Sequence, residues 1–271
     1  MTVDIPVSGD TPNGAPSPLG ESHPPEAPRE PGFQVLPSDL PQFSPLVTYV
    51  IIGLTVLVYI AQLGSPYLFG YDLPAALGMK VNELIAQGEL WRLLTPLLLH
   101  GSLLHIGFNM YALNVIGPGL ERSFGHRRFL LLYLLAGFAG NVVSMTFTDA
   151  PSLGASTAIF GLFGAQGVFI YQNRILFGER AQAALGQIVR LAVINLLIGL
   201  SPGIDNWGHV GGLAGGVAFT WLAGPLLGWQ GIAPSYRLAD RRDPNAVWLA
   251  AVGIGLLFAM LAGAVVMWRG V

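Results

Sequence analysis

From residue 46 onward the chain is a series of long apolar runs separated by polar breaks. A helix crossing the hydrocarbon core of a bilayer takes about 20 mostly apolar residues. Runs of that kind predict spans at 46–63, 94–116, 128–147, 154–172, 185–200, 206–228 and 246–268. The fifth is short and carries Arg190 near its start, the sixth is rich in glycine, and the last is the most uniformly apolar. Two breaks, near 148–153 and 201–205, are very short. The break at 64–93 is long, contains apolar residues and ends in Trp91-Arg92. A connection of that length in a compact bundle is usually structured or functional. Tryptophan also favours the membrane interface, so Trp91 reads first as an anchor.

The first 45 residues follow no such pattern. They hold 11 of the 20 prolines, and their charges are mostly acidic, with Arg29 as the one base. Proline fixes φ and removes a backbone donor, so a disordered, proline-rich cytoplasmic tail is expected over 1–45. No basic start leads into an apolar run there, so no signal peptide is expected. A membrane-spanning helix is expected over 246–271, with a cytoplasmic linker at 229–245 before it.

Composition agrees with the pattern. Hydrophobic residues make up 52% of the chain and charged residues 10%, whereas soluble domains carry about 25% charge. A net charge of -2 gives no reason to expect a nucleic-acid partner. The chain has no cysteine, which removes disulfides, thiolate metal sites and thiol nucleophiles together.

Basic residues orient the spans, because short cytoplasmic loops accumulate them. With the amino terminus cytoplasmic, ten of the thirteen lie inside or near the inner face, leaving Lys80, Arg92 and Arg269 outside. Spans two, four and six then run from outside to inside. His105, Asn109, Ser156 and His209 are thereby placed in the outer half of the membrane. Polar groups at membrane depth are costly and suggest function.

Each of these residues also has a plainer reading. His105 and Asn109 are four apart and share one helix face. They could aim two donors at one point, whereas His100 points elsewhere and reads as loop structure. Ser156 follows Gly154 at a predicted helix start. A serine there is commonly an N-cap, but first-turn amides lack helical partners and the dipole favours an oxyanion. His209 could accept a serine proton, or simply bond a neighbouring helix. Gly211, Gly212, Gly215 and Gly216 follow it in small-residue spacing that allows close helix approach. Gly161 and Gly164 offer a matching face on the fourth span. Asp205 and Asp149 fall in outer loops, so no acid is expected to complete a triad. Metal binding is disfavoured, because no H-E-x-x-H and no carboxylate occurs in these spans. No cofactor is expected.

Taken together, Trp91-Arg92, HGSLLHIGFNM at 100–110, ERSFGHRRF at 121–129, GASTAIFG at 154–161 and HVGGLAGG at 209–216 resemble the rhomboid family of intramembrane serine proteases. The resemblance covers about 46–228. It implies an all-α membrane protein, with a six-helix core at 46–228 and one further carboxyl-terminal helix. It implies Ser156 as nucleophile, His209 as base and acid, and His105 and Asn109 with the Ser156 amide around the oxyanion. Glu121 and Arg122 would be structural, and Gly154, Phe160, His100, Gly212 and Gly216 would pack near the site. Some members carry tyrosine where this chain has Phe160, which stacks but donates no hydrogen bond, so an altered His209 orientation is expected. The implied reaction is hydrolysis of peptide bonds in or near transmembrane segments of membrane proteins. The implied setting is a bacterial inner membrane, with the active site toward the outer face and substrate entering near the fifth span. Two other functions compete: a non-catalytic relative that binds membrane proteins, and a transporter or channel. The first usually lacks the serine or histidine, and the second would not need them paired.

Overall fold

The computed structural model describes residues 44–231 and 237–269. The tail expected over 1–45 lies outside them except for Ser44 and Pro45. The chain divides into two compact units. One, comprising 40–227 and 240–271, is the helical bundle that carries every candidate residue.

In that bundle α1 spans Leu46–Phe69 and stops at Gly70, whose φ of 81° suits glycine. A folded connection follows, with α2 at Leu73–Gly78, α3 at Asn82–Ala86 and two 3-10 turns at Leu90–Leu93 and Thr95–Leu98. Then come α4 at Leu103–Phe124, α5 at His126–Phe147, α6 at Ser156–Gln172 and the single turn α7 at Arg174–Phe177. Last are α8 at Arg180–Ile198, α9 at Asn206–Ala223 and α10 at Pro244–Arg269.

By length and composition α1, α5, α8 and α10 can cross a membrane. The other three long helices, α4, α6 and α9, carry the polar residues singled out above. The predicted second span differs most from the structure. Its helix begins at Leu103, capped by the Ser102 side chain, and not at 94. Leu97 and Leu99 fall within that predicted span because they are apolar, but they are buried in the folded connection. Pro96 and the tight turns around it keep this stretch out of a continuous helix.

Helix caps and a buried cation, Arg92, help to hold the connection. Arg92 is buried and donates to Glu89 and to the carbonyls of Met79 and Ala76. Trp91 is half-exposed, with its indole N–H on the Leu77 carbonyl.

The other unit contains 1–39 and 228–239, of which 228–231 and 237–239 are described. Here β1, Leu227–Gln230, pairs with β2, Arg237–Asp240. These strands fall where a linker was expected, so the described chain is not all-α. Gly228 and Gly231 within one short stretch disfavour helix.

Glu121 shows how the bundle satisfies a buried helix end. Pro45 gives α1 no side-chain cap. Instead the fully buried Glu121 carboxylate accepts from Val47 N, Thr48 N and Thr48 Oγ1 at 2.8, 2.8 and 2.6 Å. His126 Nδ1 lies 2.6 Å from Oε1, the oxygen that also accepts from Val47 N. Glu121→Ala orphans these donors, and a buried donor without a partner costs roughly 1–3 kcal/mol. Glu121→Ala is therefore expected to melt well below the parent in detergent, with Glu121→Gln between the two. An unchanged melting temperature would contradict this role.

Candidate active site

The loop leading into Ser156 is built around Gly154. Its φ of 136° is open to glycine and strained for other residues. A methyl there would also meet His105 Nε2 at 2.8 Å. Gly154 N donates to the Pro96 carbonyl at 2.9 Å, and Ala155 N to His100 Nε2 at 3.4 Å. His100 N in turn donates to Gln62 Oε1 at 3.0 Å, and Gln62 Nε2 to Asp72, the cap of α2. His100 is buried and holds the loop in place. Gln62 escaped the sequence reading, although a glutamine inside an apolar run is itself a signal of purpose.

Ser156 is the first residue of α6, but Ala155 occupies the cap position and makes no side-chain cap bond. The Ser156 hydroxyl turns instead toward α9, where His209 Nε2 stands 2.9 Å from Oγ. His209 is buried, and its Nδ1 has no protein hydrogen-bond partner among the described residues. Its ring lies nearly parallel to Phe160, with centroids 4.2 Å apart and planes 12° apart. Phe160 thus supports the imidazole by stacking alone. Asp205 is not bonded to the ring. It caps α9 by accepting from Gly208 N at 2.9 Å.

Glycine brings the two helices into reach. A methyl on Gly212 would overlap the Thr157 carbonyl, and one on Gly216 the Gly161 carbonyl. Gly164 on α6 faces Leu213 O in the same way, at 2.8 Å. The alternate pair, Gly211 and Gly215, serves a different neighbour. Methyls there would meet Val143 and Ala139 of α5 at 2.5 and 2.7 Å. Four glycines on one helix thus admit two partners, one on each face.

His105 stands beside this pair, its Nε2 against Gly154 and its ring edge-on to His100 at 5.0 Å. Asn109 is buried on the same face of α4, with Nδ2 donating to the His105 carbonyl at 2.9 Å. A primary amide has two N–H donors, so one remains for another acceptor. Among the described residues no group of three or more His, Cys, Asp or Glu is placed to hold a metal ion.

The family model for the Rhomboid domain matches residues 87–226, just over half of the chain. The chain is 39% identical over 215 residues to Rhomboid protease GluP of Bacillus subtilis (strain 168), covering 79% of this chain and 40% of that one. It is 34% identical over 203 residues to RHOMBOID-like protein 1 of Arabidopsis thaliana, covering 71% and 52%. It is 38% identical over 155 residues to RHOMBOID-like protein 4 of the same plant, covering 56% and 39%. The chain thus spans about half, or less, of the length of these relatives. With its apolar helices and the matched domain, it is an integral membrane protein, and it belongs to the Rhomboid family.

Proposed function

We propose that the chain is an intramembrane serine endopeptidase that hydrolyses peptide bonds in or near transmembrane segments of other membrane proteins. One observation carries this reading. Ser156 Oγ and His209 Nε2, on different helices and 53 residues apart in sequence, meet at hydrogen-bond distance, at a loop shaped by a left-handed glycine.

In the proposed reaction His209 Nε2 takes the Ser156 hydroxyl proton as Oγ attacks the carbonyl carbon. The negative oxygen of the tetrahedral intermediate is met by the Ser156 N–H, in the first turn of α6. His105 Nε2 and the second Nδ2 hydrogen of Asn109 would add donors from α4. His209 then gives its proton to the leaving amine, and water hydrolyses the ester with His209 again as base. The pair works without an acid on Nδ1, as a Ser-His dyad.

In this reading α1, α4, α5, α6, α8 and α9 form the six-helix core and α10 the added span. The amino terminus is cytoplasmic, the dyad faces outward, and the membrane is a bacterial inner membrane, as suits the Bacillus relative's origin. Substrate enters beside α8, which packs chiefly on α6 and little on α9. An apolar groove of about 400 Å³ runs there, lined by Phe163, Ile188, Val189, Leu213, Val217 and Trp221.

The direct test is cleavage of a purified transmembrane reporter by the full chain in proteoliposomes, with and without a chelator. Cleavage unaffected by the chelator is expected, and loss of cleavage with it would bring a metal site back into question. His105→Ala and Asn109→Ala should lower kcat more than they raise KM, because an oxyanion donor acts mainly in the transition state. Loss of one such donor costs about 3 kcal/mol in soluble serine proteases. An effect confined to KM would refute that role.

A further inference from the structure

Lys80 stands in the connection between α1 and α4, yet it is fully buried. Its backbone forms an antiparallel bridge to Ser152, four residues before Ser156. Lys80 N donates to Ser152 O at 2.9 Å, and the Lys80 carbonyl accepts from Ser152 N at 3.1 Å. Its side chain reaches elsewhere, with Nζ donating to Ser144 Oγ on α5 at 2.8 Å. The Ser144 hydroxyl passes its own hydrogen bond to Asp205 Oδ2 at 2.5 Å. Asp205 is the cap of α9, and its carbonyl accepts from His209 N at 3.2 Å.

A buried ammonium is costly and is tolerated only with good partners. Burial pushes Lys80 down to about 8, Asp205 opposes that shift, Arg269 adds to it and Glu83 opposes it more weakly. At neutral pH the side chain stays mostly protonated. A charge therefore sits one hydroxyl away from the carboxylate that begins the histidine helix. An apolar side chain of the same length would fill this space without the desolvation cost, so packing alone does not account for a lysine here.

The geometry points to Lys80 as a positioning residue that sets the spacing between Ser156 and His209. Its backbone fixes the loop leading to the serine, and its side chain, through Ser144, fixes the start of the histidine helix. Lys80 touches no reacting atom, and the inference rests on Ser156 and His209 being the catalytic pair. Without the ammonium, Asp205 loses its counter-charge and is free to turn toward water, carrying the first turn of α9 with it. A displacement of about 1 Å between reacting groups costs on the order of a hundredfold in rate.

The test uses the full chain in proteoliposomes with a transmembrane reporter. Lys80→Met keeps the length and removes the charge. Ser144→Ala breaks the same link with almost no change in volume, and serves if Lys80→Met does not fold. Per folded molecule, each is expected to lower kcat by roughly tenfold to a hundredfold with little change in KM. The double variant should fall no further than the worse single one. A purely structural role would lower the melting temperature and leave kcat per folded molecule unchanged, and that result overturns the inference, as does a change in KM alone. Ser156→Ala separates the two readings. Cleavage by Ser156→Ala, or none by the parent, defeats the dyad and the inference with it. An inactive Ser156→Ala beside unchanged kcat in Lys80→Met and Ser144→Ala defeats the positioning role only.

Discussion

Ser156→Ala is expected to abolish cleavage of a transmembrane reporter while the protein still melts like its parent. The substitution removes one oxygen, and that oxygen is the partner of His209 Nε2. The helix start survives, because Ala155 and not Ser156 occupies the cap position. In a soluble serine protease, loss of the nucleophile costs about a millionfold in kcat. His209→Ala should cost a comparable amount. The double variant should be no worse than either single one, because nucleophile and base act as a unit. Measurable turnover in Ser156→Ala, above the level of a heat-killed sample, would remove the protease assignment. Additive losses in the double variant would instead show two independent roles.

The second large effect is expected at Gly212, which is no part of the chemistry. A methyl there would overlap the Thr157 carbonyl, which is backbone and cannot swing aside. The helices must therefore separate. Thr157 adjoins Ser156, and Gly212 is one turn beyond His209, so any separation is passed directly to the pair. Overpacking of this kind costs roughly 1–3 kcal/mol of stability, and a misplacement near 1 Å about a hundredfold in rate. Gly212→Ala should therefore melt lower than the parent and turn over far more slowly. Gly53 on α1 provides the control, since a methyl there meets nothing within 4 Å. Alanine is favoured over glycine in a helix by about 1 kcal/mol, so Gly53→Ala should be neutral or stabilising. A Gly212→Ala protein that melts and cleaves like the parent would refute close helix approach as the device that assembles the site.

These two expectations draw on different kinds of information. His209 stands out in the sequence because polar residues are scarce in apolar runs, whereas Ser156 alone reads as an N-cap and gains weight only beside His209. The glycines after His209 are also visible, but only as a packing signal of unstated direction. Their division between α5 and α6 depends on which face of α9 meets which helix. The start of α4 was misplaced by nine residues for a related reason. Leu97 and Leu99 are apolar for burial under a folded connection, and hydropathy does not distinguish protein from lipid as the surrounding medium.

The series of apolar runs, the scarcity of charge and the small set of polar residues among them are legible in the chain itself, because these follow from local composition and from the cost of burying polar groups in lipid. Only the packing of distant segments fixes how Asn109 spends one donor on the His105 carbonyl and that Ser156 is not a cap. It alone linked Lys80 through Ser144 to Asp205, residues 64 and 61 positions apart at each step. Such links depend on distances between segments remote in sequence, and no local pattern of hydrophobicity or spacing encodes them.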